Sequence, residues 1–389
     1  MIWKRMAGLL LVLLFSTALI SDAYAAQTND AKDPKKELFE TTAESAVLIA
    51  ADSGEVLFSK NPDKRLPMAS VTKLMTLLLT VEAVESGKVK LDDKVTASEN
   101  AWGMGGSQIY LEPGEEFSLK EMLIAVAVGS ANDASIALAE YLEGSEEAFV
   151  AKMNERAKQL GCTNTHFVNP TGLPAEGHYT SAMDLAKIMK ECLKHKLFMD
   201  VSGIYEYDLR GGEFKLWNTN KLLKWYKGVD AGKTGWTNEA KYCLASTCER
   251  DGLRLITVVL GSPEPKSHFR ESIKIYNYGY ARYKAVHLQD KNSIVSRIPV
   301  DKGVVEDVGI EAAENIVMVV KKGEEKGYQG HVEAPAKISA PVARGQKIGE
   351  YVVTRNNSEV ARVPLFAAEN VGKRTFIQQI NKAVRGIFE

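Results

Sequence analysis

The chain has little of what marks several common classes of protein. Its 389 residues include only four cysteines, too few for a disulfide-stapled scaffold, with no C-x-x-C pair and no histidine at zinc-site spacing. Cys243 and Cys248 lie five apart in a strand-like stretch, so they face opposite ways and cannot bridge. All four, with Cys162 and Cys192, are expected as buried free thiols. Charge bias is missing too. The 49 Lys+Arg against 50 Asp+Glu exclude the strongly basic surface of a nucleic-acid binder, and 45% hydrophobic residues exclude a disordered chain. Its length suggests about two domains, each able to bury a core. Long apolar runs are scarce: Ala7–Ile20 spans about 14 residues, short of the roughly 20 a membrane-crossing helix needs. Lys4 and Arg5 precede it and Ala23-Tyr24-Ala25 follows, the layout of an export signal removed after Ala25. Removal takes Lys4, Arg5 and Asp22 and moves the net charge from −1 to −2.

What is present divides the remainder into regions of different texture. Ser45–Ala50 and Val56–Phe58 read as a hairpin around Asp52-Ser53-Gly54-Glu55. From Ala69 to Glu85 the residues Leu74, Leu77, Leu78, Val81 and Val84 recur at helical spacing, which predicts a helix with one buried stripe ended by Gly87. Further helices are expected over Leu119–Val128, Ala131–Leu142, Phe149–Leu160 and Ser181–His195, and Leu255–Leu260 is β-branched enough for a central strand. Helices inserted between terminal strands give an α+β domain over residues 38–283. Short strand-like runs separated by turns then predict a small all-β domain over residues 286–365. In the last segment, residues 371–389, Phe376, Ile377, Ile380, Val384, Ile387 and Phe388 trace one helical face, and Lys373, Arg374, Lys382 and Arg385 lie on the rest. That pattern predicts an amphipathic helix lying in an anionic membrane surface.

Three short motifs carry the chemistry: Ser70-Val71-Thr72-Lys73, Ser130-Ala131-Asn132 and Lys233-Thr234-Gly235. Ser70 opens the long helix and Lys73 follows one turn later, so the amine stacks beside the hydroxyl. A serine hydroxyl is a weak nucleophile until an adjacent base takes its proton. Lys73 can do so only when neutral, a state favoured by burial and by a second cation, for which Lys233 is the candidate. Ser130, at the break between two helices, can relay a proton to a leaving nitrogen, and Asn132 can hydrogen-bond a substrate amide. Lys233 and Thr234 suit a terminal carboxylate. Gly235 permits close approach of an extended peptide, and the N–H groups of Ser70 and Trp236 can form an oxyanion hole. His178 is tempting as a triad base, but no aspartate motif accompanies it and a structural role in a loop is favoured.

With Gly106–Gly114 (GSQIYLEPG) and Asn169–Leu173 (NPTGL), these motifs resemble the low-molecular-mass penicillin-binding proteins, the serine-type D-Ala-D-Ala carboxypeptidases of peptidase family S11. The run Gly228–Leu244 is especially similar to the sporulation-associated Bacillus member. The resemblance implies a β-lactamase/transpeptidase-like catalytic domain that removes the terminal D-alanine from peptidoglycan stem pentapeptides. It also implies inhibition by β-lactams, no cofactor or metal, and a place on the outer face of the cytoplasmic membrane. Ser70, Lys73 and Ser130 would be catalytic; Asn132, Lys233, Thr234, Gly235 and Trp236 would bind substrate. These enzymes usually hold the carboxylate with an arginine after the core strand, where this chain offers His268 or, with a shift, Arg270. A class A β-lactamase shares the three motifs but needs a glutamate for deacylation, and Gly161–Ser181 holds only Glu176, outside any E-x-x-x-N pattern. A catalytically silent muropeptide-binding protein is disfavoured by the intact Ser70 and Lys73, and DD-endopeptidase activity would use a similar site.

Overall fold

The computed structural model describes residues 40–378, so the expected export signal and most of the expected terminal helix lie outside the described residues. The hairpin forms as expected: β1 (Ser45–Ala50) pairs antiparallel with β2 (Val56–Lys60). Three long strands complete the sheet: β3 (Val229–Thr237), β4 (Lys241–Arg250) and β5 (Leu253–Ser262). The order is β2-β1-β5-β4-β3, which puts the β-branched run Leu255–Leu260 at the centre and leaves β3 on the edge. In the β3–β4 ladder Lys233 faces Ala245, Thr234 faces Leu244 and Gly235 faces Cys243.

Helix α1 (Lys73–Glu85) differs from the expected single stripe: Lys73 through Val81 are buried on every face. It packs against α2 (Asn132–Glu143) and α3 (Ala182–Cys192) and touches the helix over Glu146–Gln159. Its buried hydroxyls are satisfied locally, Thr80 donating to the Thr76 carbonyl and Thr76 to the Pro170 carbonyl, both at 2.8 Å. A polar residue at an otherwise apolar spacing therefore does not mark a wet face here. Before α2, a helix from Leu119 runs into a π-type turn over Ala125–Gly129, and the chain breaks at Ser130, whose φ of 61° is left-handed.

Helix α4 (Ser267–Arg282), which no clear apolar period announces, packs on β5 and leads into the strand-rich region. There Ser358–Ala367, Asp307–Ala312 and Lys347–Arg355 belong to a six-stranded sheet around Val308, Ile310, Val353 and Leu365. Beside it Tyr283–Gln289 pairs with Ile316–Lys321. All four cysteines are buried free thiols, and burial pushes Cys243 up to about 12. No helix among the described residues is long and apolar enough to cross a membrane.

Candidate active site

Ser70 does not open the α-helix itself. It lies in a 3₁₀ turn, Ala69–Thr72, that feeds α1 at Lys73, and Ala69 holds a positive φ of 47° that is costly for a residue with a Cβ. Two glycines from distant parts of the chain hold this turn. A Cβ on Gly235 of β3 would sit 2.9 Å from the Ser70 nitrogen and 2.7 Å from the Met68 carbonyl oxygen. A Cβ on Gly172 would overlap the Ala69 carbonyl from another element. Behind the turn His178 is buried and neutral: its Nδ1 accepts from the Val168 N–H at 3.0 Å, so Nε2 carries the proton and donates to Thr72 Oγ1 at 2.8 Å. Burial, then the nearby His166 and Lys73, lower His178 to about 4. Its structural role in the loop is what the contacts support.

Lys73 Nζ lies 3.1 Å from Ser70 Oγ, 2.6 Å from Asn132 Oδ1 and 2.6 Å from the Thr171 carbonyl oxygen. Burial, then the charge of Lys233, hold its ammonium well below the usual lysine range, against an opposing pull from Asp133. Two of its partners are carbonyl oxygens, which only accept. A neutral amine gives them its two N–H groups, and its lone pair is then directed to the Ser70 hydroxyl. Asn132 thus spends its carbonyl on the lysine, while its amide N–H donates to the Gly105 carbonyl at 2.7 Å.

Lys233 reaches across to donate to Ser130 Oγ at 2.8 Å and to the Thr234 carbonyl at 3.0 Å. Burial pushes it down to about 7. The cleft in front, about 540 Å³, is lined by Ser70, Ser130, Thr234, Gly235, Trp236 and His268, among others. Lys73 and Lys233 are bonded to the lining residues Ser70 and Ser130, and Asn132 is bonded in turn to Lys73. Trp236 is 54% exposed at the rim. His268 lines the cleft and stacks on Tyr242, and burial lowers it to about 4, whereas Arg270 points to an exposed ion pair with Glu264 at 2.9 Å.

Several contributors were not apparent from the motifs. Asn169 Oδ1 accepts from the N–H groups of Thr171 and Gly172, at 3.2 and 2.7 Å, and so shapes the loop that presents the Thr171 carbonyl to Lys73. The Asn-Pro-Thr-Gly turn signature was the available clue. Buried Asp133 accepts from the N–H groups of Ile109 and Leu111 at 3.0 and 3.1 Å, tying the GSQIYLEPG segment to α2. The candidate metal ligands that come together among the described residues, Glu82, Glu191 and His195, lie outside the cleft lining, and Arg156 bridges both carboxylates at 2.6 and 2.7 Å.

A hydroxyl paired with a buried lysine, beside an open strand edge, defines a serine acyl-transfer site suited to an extended peptide. Comparison with known proteins gives the family. Residues 27–264 match the model for D-alanyl-D-alanine carboxypeptidase, peptidase family S11, and residues 283–373 match the C-terminal domain of penicillin-binding protein 5. The chain is 42% identical over 385 residues to the D-alanyl-D-alanine carboxypeptidase DacF of Bacillus subtilis, covering 98% of each chain. The structure of penicillin-binding protein 5 from Haemophilus influenzae matches with a TM-score of 0.70 at 31% identity, over 87% of this chain and 99% of that one. Penicillin-binding protein D2 of Listeria monocytogenes, in an ampicillin-bound form, matches with a TM-score of 0.57 at 31% identity, over 63% of this chain and 99% of that one. The chain belongs to peptidase family S11, the serine-type D-alanyl-D-alanine carboxypeptidases. Members of this family work on the cell wall, outside the cytoplasm.

Proposed function

We propose that the carboxypeptidase reaction runs through an acyl-enzyme on Ser70. The observation that carries this reading is the Lys73 amine, held at 2.6 Å by two carbonyl oxygens so that its lone pair is left for Ser70 Oγ at 3.1 Å. Lys73 takes the hydroxyl proton as Ser70 Oγ attacks the carbonyl carbon of the penultimate D-alanine. The N–H groups of Ser70 and Trp236 receive the developing oxyanion. Ser130, polarised by Lys233, passes a proton to the departing D-alanine nitrogen, and water then cleaves the ester. Lys233 and Thr234 hold the terminal carboxylate, with the second amide N–H of Asn132 available to the acyl part. His268 replaces the usual arginine as a neutral hydrogen-bonding group, so Lys233 supplies the positive charge. A β-lactam acylates Ser70 in the same way, but its leaving nitrogen stays tethered in the cleft and slows hydrolysis. The ampicillin-bound form of the Listeria relative supports that reading.

Ser70→Ala tests it. Wild-type protein exposed to penicillin should gain one drug mass and release D-alanine from a pentapeptide; the variant should do neither while keeping its circular dichroism. Retained D-alanine release by Ser70→Ala would end the proposal.

The same reading takes residues 1–25 as an export signal, residues 38–283 and 286–365 as the two folded domains, and residues 371–389 as a peripheral membrane helix. Support for the last comes from Phe376 and Ile377, which are 76% and 70% exposed where the helix begins. Truncation after Asn370 should release the protein from anionic vesicles, and persistent binding would refute the anchor. A sporulation role rests on the resemblance of Gly228–Leu244.

A further inference from the structure

The loop over residues 169–172 meets α1 through its backbone, and one side chain arranges the meeting. Two consecutive peptide units there each have a carbonyl bonded from α1. The Pro170 carbonyl accepts from Thr76 Oγ1 at 2.8 Å and the Thr171 carbonyl from Lys73 Nζ at 2.6 Å, donors about one helical turn apart. A trans peptide unit points its N–H away from its C=O, and both of these units are trans. Their N–H groups belong to Thr171 and Gly172, and both donate to a single atom, Asn169 Oδ1, at 3.2 and 2.7 Å. Each plane is therefore held at both ends, by α1 on one side and by Asn169 on the other.

The second plane depends on that grip. It turns about the bonds flanking it, ψ of Thr171 and φ of Gly172, and a glycine takes either sign of φ, so its +84° is not enforced by a side chain of its own. With the plane turned over, the Gly172 N–H would face Lys73 in place of the carbonyl, and the amine would lose one of the two acceptors that orient it. Asn169 is itself fixed. Its Oδ1 also accepts from Thr171 Oγ1 at 2.9 Å, and its Nδ2 donates to the Leu173 carbonyl at 2.9 Å. The side chain carries no charge, so it reaches Lys73 through the shared amide, where a bonded N–H strengthens the carbonyl of the same unit as an acceptor.

We infer that Asn169 is a positioning residue for the base: by clamping the peptide unit between Thr171 and Gly172 it aims the Lys73 lone pair at Ser70 and sets how readily Lys73 gives up its proton. The inference rests on the reading of Lys73 as the base.

The test follows Ser70 acylation at saturating penicillin across the accessible pH range by intact mass, with Tm measured alongside. Asn169→Leu removes the acceptor at nearly constant volume. Its plateau rate should fall about tenfold to a hundredfold, as for a reacting group displaced by about 1 Å. Its acid limb should move about half a unit to lower pH, because the ammonium loses a charge-assisted acceptor. Asn169→Asp keeps an acceptor oxygen in place, gives up the bond to Leu173 and adds a charge. It should hold the plateau within about threefold and move the acid limb about one unit to higher pH, since a nearby carboxylate favours the ammonium. The charged groups that face Lys73, Lys233 on β3 and Asp133 on α2, and the neutral His178 behind it are unchanged in both variants, so opposite shifts belong to position 169. A residue that merely stabilised the loop would lower Tm in both and leave the limb where it is. An unmoved limb in Asn169→Asp, or wild-type acylation by Asn169→Leu, would overturn the clamp; should Asn169→Leu fail to fold, Asn169→Asp decides alone. Wild-type acylation by Lys73→Arg would instead count against the base on which the inference rests.

Discussion

Lys73→Arg is expected to lower the rate of Ser70 acylation about 10³–10⁴-fold across the accessible pH range, measured as penicillin adduct formed per second by intact mass. The N–H donors are kept but a fixed cation replaces the neutral amine, so the lone pair is lost. A guanidinium with a pKa above about 12 never presents a lone pair to the hydroxyl. Wild type should give a bell-shaped kcat/KM for the peptide. On the acid side activity rises as Lys73, held low by burial and by Lys233, becomes neutral. On the alkaline side it falls near pH 7, as Lys233 at about 7 loses the charge that holds the substrate carboxylate. A bound carboxylate favours the Lys233 ammonium, so the alkaline limb of kcat should lie at higher pH than that of kcat/KM. A residual bell in Lys73→Arg, or wild-type acylation by it, would show that another group is the base. Lys73→Met, which avoids the larger guanidinium, should be equally slow.

Gly172→Ala should cut kcat/KM by about a hundredfold or more, with a lower Tm. The added methyl overlaps the Ala69 carbonyl, and φ is +84° where a Cβ costs about 1–2 kcal/mol on its own. Relief has to come from moving the Ser70 turn or the loop carrying Thr171, and either displaces Ser70 from Lys73. A shift of about 1 Å is enough to cost about a hundredfold in rate. Gly177→Ala separates strain from contact. Its φ is +79°, nearly the same, yet its Cβ would meet nothing closer than His166 Nδ1 at 3.8 Å. That variant should lose a little stability and keep its kcat. Equal activity loss in both would mean that loop strain alone explains the effect; unchanged activity in Gly172→Ala would show that the turn does not depend on the clamp.

How far the site could be read in advance depended on whether its contacts were local. Ser70 and Lys73 were legible because a spacing of three on a helix brings side chains together whatever the tertiary fold. Lys233 was expected only as a second cation near Lys73, and its bond to Ser130 was not foreseen, since 103 residues separate those partners. The Thr171 carbonyl could not be seen, because a backbone acceptor leaves no mark on residue type. The two glycines on the Ser70 turn likewise depend on which backbones meet. The same limit applies to the fold. The strand pattern identified β1, β2 and the centre of β5, but α1 was expected to show one dry face and is buried all round from Lys73 to Val81. Its threonines find acceptors within the packing, which hydropathy spacing does not register. The choice between His268 and Arg270 also needed coordinates, since both lie near the start of α4 and only His268 lines the cleft.

The open edge of β3 has a consequence for the protein as a material. An unpaired strand edge is a template that another chain can extend, and it is usually blunted by charge, proline or a covering element. Here it must stay receptive to a short peptide. Gly232 and Gly235, with positive or closely packed backbones, interrupt the regular row of side chains along it. Trp236 stands exposed beside them. A concentrated solution without substrate therefore carries a liability for strand-to-strand association at the groove itself, and a peptide occupying that edge would cap it.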